Sequence, residues 1–445
     1  MKKSALSILA AVSATTLLVT SCSKPADEQA PANDAATESH DHEGHDHEHE
    51  HEHEHEHDHE GHHHEHDGME AGEGETEVAQ LPNRVVISHE GGLKTYDAKT
   101  GEVIEEEEMP AFLRLSNAGD NRHVMVTKGD KFLSFDSGLI TKPHGDHKHY
   151  YTAEPKLSDA EIEAPHAGHV VHHDGFTALF SDGEGTAQVF PTDQAGDPKD
   201  VKTFESGAAH HGVAVPLKDG SVVMTKGTED ERHTIQHLSK DGKVLTETTK
   251  CPGVHGEATA GNGKLFFGCE DGPVVFDGKE FHKIDVSAYA GKDGYQRSGN
   301  SAGSEESDVI LADNKTEKDA EFERPTSVSL INTKDYSAKK VDLGSSYWFR
   351  SLARGPLGEA LVLTYDGKLN VIDPETGEIT KKIDAISEWR ENEEWQLPGP
   401  ILKAEDGYAF VTDANKKELV VIDLFEGKEA NRFKLDIKPT EMAVL

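Results

Sequence analysis

Cysteine is nearly missing, with three in 445 residues. That excludes a disulfide-stapled scaffold, an iron–sulfur protein and a zinc fold built on Cys ligands. Basic residues are scarce beside acidic ones, 45 Lys plus Arg against 84 Asp plus Glu, and the formal net charge is −39. Such a surface repels nucleic acid and anionic membranes and attracts cations. Apolar residues make up only 34% of the chain, and beyond residue 21 no apolar run is long enough to cross a bilayer. In excess are glycine, with 41 residues, and histidine, with 29. Where the histidines fall becomes the main question.

Lys2 and Lys3 precede an apolar segment, Ala5 to Val19, which at about 15 residues has the size of a signal-peptide core. It ends in Val19-Thr20-Ser21-Cys22, which resembles a bacterial lipobox. The resemblance implies removal of residues 1–21 and lipid attachment to Cys22; ordinary secretory cleavage nearby is the alternative. Both routes export the mature protein. Ser23 rather than Asp after the cysteine points, in a Gram-negative host, to the outer membrane. The expected location is therefore periplasmic, with the membrane touched through the lipid anchor only. Residues 22–39 are polar, hold Pro and Ala, show no periodicity and read as a disordered linker.

Residues 40–80 read as a disordered metal-binding tail. Its histidines are His40, His42, His45, His47, His49, His51, His53, His55, His57, His59, His62, His63, His64 and His66, separated almost only by Glu and Asp. Neutral imidazole suits Zn, Cu, Ni and Co, and the carboxylates neutralise the ion's charge. Such a string supplies several weak, interchangeable sites, and binding should weaken as pH falls and the imidazoles protonate. The plainer alternative is a solubilising acidic tail. Between Asp27 and Glu77 lie 20 acids, about half of the net charge.

From Leu81 to Leu445 short β-rich runs alternate with Gly, Asp and Asn turns and no convincing helix occurs. The runs recur at roughly 40–50 residues, the period of propeller blades. The clearest repeat runs from Ser351 to Ile383, and the stretch from Ile401 repeats it. The segment from Asn83 has the last three strands of a blade and lacks the first; the terminal PTEMAVL supplies it, closing the ring by pairing the two ends. The expectation is an all-β propeller of about eight blades, or seven if 286–345 is one blade with an insertion, with blade starts near Phe112, His166, His211, His255, Thr326, Tyr347 and Pro398. A pair of β-sandwiches is the alternative, and the regular spacing argues against it.

The other 15 histidines cluster too. His166, His211 and His255 lie eight, eight and seven residues before an Asp-Gly or Asn-Gly turn, so they should open the innermost strand of three consecutive blades. Those openings converge on one mouth of the central channel, where three neutral imidazoles and a carboxylate or water suit tetrahedral zinc. The register is uncertain by three residues, so His169 can replace His166. Of His210 and His211, neighbours facing opposite ways in an extended chain, one should be a ligand. Glu257, two residues beyond His255, can ligate or orient an imidazole. In HGDHKHYY, His147 and His149 can bind together from one strand face, with His144 or Asp146 near, at the same mouth or at a second site. His172 and His173 lie too far along the strand. His89, His123, His233, His237 and His282 read as structural. Cys251 and Cys269 flank the Asn262-Gly263 hairpin and read as a disulfide in an oxidising compartment, with zinc ligation by the thiols as the weaker alternative.

At HGDHKHYY, GHVVHHDGFTALFSDGEG, HHGVAVPL and CPGVHGEATAGNGKLFFGCEDG the body resembles the AztD-type periplasmic zinc metallochaperones, over most of residues 82–445. The resemblance implies a β-propeller, and the protein is expected to be a monomer and not an enzyme. It would bind Zn(II) and pass it to the solute-binding protein of a zinc ABC transporter. The long tail and the lipobox depart from that pattern. Two further readings stand beside it. One is a lactonase-like propeller metallohydrolase with Glu257 as base, although no G-x-S-x-G or H-E-x-x-H occurs. The other is a surface lipoprotein serving as a metal buffer.

Overall fold

The computed structural model describes residues 71–445. The signal segment, Cys22, the linker and every tail histidine lie outside the described residues.

Burial follows the blade repeat. Strands in the middle of a sheet are covered on both faces by neighbouring sheets, so Val85, Val86 and Ile87 are all fully buried. The outermost strands read polar, as VIEEEE does. The first strands are β1 (Thr76–Val78), β2 (Arg84–His89), β3 (Gly92–Asp97), β4 (Val103–Glu108), β5 (Arg114–Asn117) and β6 (His123–Lys128). They are followed by β7 (Lys131–Asp136), β8 (Leu139–His144), β9 (His147–Thr152), β10 (Lys156–Glu163) and β11 (Ala167–His173). Strands β5, β6, β7 and β10 make one four-stranded antiparallel sheet. Six more sheets of the same kind begin at β11, Ala214–Pro216, Glu257–Thr259, Ser301–Ser304, Leu352–Arg354 and Leu402–Glu405. The eighth joins Glu441–Val444 to β2, β3 and β4, with Val85 opposite Val444 and Ser88 opposite Glu441. The ends of the body therefore pair in one sheet, as the missing first strand required.

The innermost strands touch in ring order: Glu441–Val444 meets β5, β5 meets β11, and Leu402–Glu405 meets Glu441–Val444. This is a β-propeller, with hydrophobic cores between adjacent sheets. Val85, Ile87, Tyr96 and Met442 of the closing sheet pack on Phe410, Leu419 and Val421 of the sheet before it. Among the described residues no helix is long and apolar enough to cross a membrane.

Two expectations change. Thr326 starts no blade, because Ser327–Asn332 is the third strand of the sheet opened by Ser301–Ser304. Serine, alanine and glycine make up that first strand, SAGS, and hid it from a hydrophobic-pattern reading. The second concerns the tail read as disordered up to residue 80, whose last part contains β1. This strand pairs with β9, Glu77 opposite Tyr151, and with β8 completes a three-stranded sheet.

Candidate metal centres

Among the described residues, two groups of three histidines bring ligand nitrogens within 4.8 Å of one another, His169 with His211 and His255, and His144 with His147 and His149.

The first group sits where inner strands begin. His169 is on β11, while His211 and His255 precede Ala214–Pro216 and Glu257–Thr259. Ring centroids are 4.7, 4.9 and 5.7 Å apart. Each Nδ1 faces an acceptor: Gly212 O at 2.8 Å from His169, Asp182 Oδ2 at 2.6 Å from His211, and Gly299 O at 2.7 Å from His255. A carbonyl or carboxylate can only accept, so each Nδ1 donates, and in the neutral imidazole that leaves each Nε2 its lone pair. His211 Nε2 and His255 Nε2 stand 3.1 Å apart with those lone pairs converging. A cation between them resolves that opposition, and such outer acceptors are what hold metal-binding imidazoles in place. Burial first, then the neighbouring His211 and His255, holds His169 well below the usual imidazole range. Burial, then His211, pushes His255 down to about 3. Both are neutral at pH 7, the form that ligates.

The three imidazoles line a cavity of about 630 Å³ at the channel mouth, to which Arg114, Ser301, Leu352, Leu402 and Glu441 bring the other inner strands. Glu257 lines it too, outside the three-histidine group, and burial pushes its carboxyl up to about 7.

His166 is not in the group. It is exposed, its φ is 51°, and its backbone N–H donates to Asp130 Oδ1 at 2.8 Å. The strand shifts register between Ala167 and Val170, and such an irregularity re-aims side chains, here turning His169 into the channel. His210 is buried away from the site, its Nδ1 on Ala208 O at 2.9 Å and its Nε2 on Thr225 Oγ1 at 3.0 Å. His173 Nδ1 donates to Pro216 O, and His282 and His237 bond Asp277 and Ser221. Asp182, missed in the sequence, follows β-run FTALFS in a Ser-Asp-Gly turn that reads as a connection only. Gly168 lets it approach, since a Cβ there would stand 2.4 Å from Asp182 Oδ1.

The second group is carried by the hairpin β8–β9. Its two-residue loop, Gly145-Asp146, brings His144 opposite His147, and Gly145 takes the positive φ of 58° that a II′-type hairpin turn needs. His144 Nδ1 and His147 Nε2 each lie 3.2 Å from His149 Nε2. Asp146 Oδ1 is 3.2 Å from His147 Nδ1, and Glu77 Oε1 of β1 is 2.9 Å from His149 Nδ1. This hairpin is inserted between β7 and β10, at the end of the blade where Asp136 pairs with His123 and Lys156. Arg114, which lines the channel cavity, pairs with Thr127 at the other end. The two groups therefore lie at opposite ends of the strands, and the hairpin does not join the channel mouth.

Cys251 and Cys269 are disulfide-bonded and fully buried. The bridge brackets the segment carrying His255, whose backbone N–H donates to Gly268 O at 3.0 Å.

No family model matches the chain. It is 26% identical over 348 residues to the zinc chaperone AztD of Citrobacter koseri, covering 74% of this chain and 77% of that protein. Two structures of Citrobacter koseri AztD, one of the apo form, match with TM-scores of 0.71 and 0.69. At 23% identity they cover 82% of this chain and 98% of theirs. The dihydro-heme d1 dehydrogenase NirN matches at 14% identity with a TM-score of 0.50, over 83% of this chain and 80% of that one, a likeness of fold alone. The resemblance to the AztD family read from the four motifs thus extends along the chain.

Proposed function

We propose that this protein is an extracytoplasmic zinc chaperone. It binds Zn(II) through His169, His211 and His255 at the channel mouth and through His144, His147 and His149 on the hairpin, and hands the ion to the solute-binding protein of a zinc ABC transporter. The observation that carries this reading is the convergence of three imidazoles, with ligand nitrogens within 4.8 Å of one another, whose Nδ1 partners all accept. Three neutral imidazoles suit zinc and leave a fourth position open, through which an acceptor's ligand can enter before the histidines let go. The name of the Citrobacter koseri relative supports the same reading.

The further parts of the proposal rest on sequence. The tail histidines collect zinc and raise its concentration near the body, and lipid on Cys22 holds the protein in the periplasm. Three histidines with an open position also occur in zinc hydrolases. The absence of a catalytic motif and the name of the relative favour carriage over hydrolysis.

Native mass spectrometry of the mature protein tests the sites. His211→Ala/His255→Ala should lose one tightly held zinc and His147→Ala/His149→Ala another, and unchanged stoichiometry in both would refute the assignment. Transfer is tested by mixing the zinc-loaded protein with the acceptor. Movement of zinc faster than its release to a chelator supports a chaperone, and equal rates reduce the protein to a buffer.

A further inference from the structure

The wall of the channel cavity is divided. Histidines occupy three consecutive inner strands, and Arg114, Lys315, Arg350 and Lys403 stand around the rest. Two of these cations are already matched. Arg350 Nε donates to Glu441 Oε1 at 2.9 Å and its plane lies 4.3 Å from the Phe349 ring, while Lys315 stands 3.9 Å from Asp313 and from Glu323. Arg114 and Lys403 have no carboxylate at ion-pair distance among the described residues; burial lowers the pKa of the Lys403 ammonium, and Glu441 opposes that only at longer range. Three neutral imidazoles bring the metal no negative charge. With a divalent ion in place the cavity holds that ion, Arg114 and Lys403 against one unmatched carboxylate, Glu257. A cavity so far from neutrality calls for an anion.

We propose that the arc of Arg114 and Lys403 binds a small dicarboxylate that shares the cavity with the metal. One carboxylate takes the open coordination position beside His169, His211 and His255, and the other rests on the two cations. Guanidinium presents its donors in the fork that matches a carboxylate, and lysine adds a point charge. The cavity, at about 630 Å³, has the size of small-molecule sites, which favours a free metabolite-sized acid over a protein side chain. The ion then enters and leaves as a ternary complex, and removal of the anion opens the position that an acceptor must use. This inference rests on the proposed metal reading of the same histidines.

Cobalt(II) absorption with succinate as the probe tests it on the full chain. His147→Ala/His149→Ala confines the body's metal to the channel, and the same protein with His211→Ala and His255→Ala added subtracts the tail's contribution. Succinate should shift the channel-dependent cobalt bands saturably. Lys403→Met and Arg114→Gln should each weaken succinate at least tenfold while cobalt still binds, with circular dichroism confirming that both variants fold. Bands that do not respond to succinate, or a succinate affinity in both variants equal to that of the parent, would overturn the anion site and leave the metal site standing. Absence of any channel-dependent band would overturn the metal reading, and this inference with it.

Discussion

Asp182 decides which nitrogen His211 offers. Its carboxylate accepts from Nδ1 at 2.6 Å and from the Gly212 backbone N–H at 3.3 Å, fixing both the ring and the chain beside it. Outer partners of this kind are worth about 10–100-fold in metal affinity. Asp182→Ala should weaken zinc at the channel by that amount, measured by chelator competition in the His147→Ala/His149→Ala background, and unchanged affinity would show that His211 needs no support. The pH dependence follows from the same geometry. A metal competes with protons for its ligands, so a ligand whose pKa is lowered loses that competition only at lower pH. Burial holds His169 and His255 neutral, His255 down to about 3. Zinc affinity at the channel should therefore fall less steeply between about pH 6 and pH 4 than the roughly three decades per pH unit that three ordinary histidines would lose. A slope of about three decades per unit would contradict the lowered pKa values of His169 and His255. His255 and His211 were legible as residue types at a repeated distance from a turn. Asp182 was not, because Ser-Asp-Gly after a strand is an ordinary turn and its partner lies 29 positions away in the chain.

At the scale of elements, local irregularities decide. Counting back eight residues from the turn gives His166, with His169 as the alternative, and the register shift between Ala167 and Val170 selects His169. Strand β1 was unreadable from its three residues, since TEV carries no pattern; it forms because the edge of β9 offers it partners. Its Glu77 then reaches His149. The disulfide acts at the same scale. It closes a segment of sequence separation 18, for which the loss of unfolded-state freedom is worth about 3 kcal/mol. Cys251→Ala/Cys269→Ala should lower the urea midpoint accordingly and weaken zinc at the channel, because His255 lies inside the bracketed segment. A variant as stable as the parent would show that the hairpin needs no bridge.

At the scale of the molecule, closure holds the ring. Ala443 and Met442 pair opposite Val86 and Ile87, and Met442 is fully buried between the closing sheet and its neighbour. Met442→Ala should cost about 2–5 kcal/mol, the range for truncating a buried methionine, read as a fall in the unfolding midpoint. A loss below about 1 kcal/mol would mean that the two ends carry little of the stability. The sequence alone determined the all-β character, the repeat, the closing role of the C-terminal strand, the disulfide and the histidine-rich motifs. Each of these is a periodicity or a pairing written in local residue types. Only the tertiary structure decided that His169 takes the place of His166, that His210 turns into the core, that the hairpin group stands at the far end of the strands, and that Asp182, Arg114 and Lys403 attend the channel. Those outcomes depend on contacts between blades, where a one-residue shift in register moves a side chain to the other face, and no local pattern records that shift.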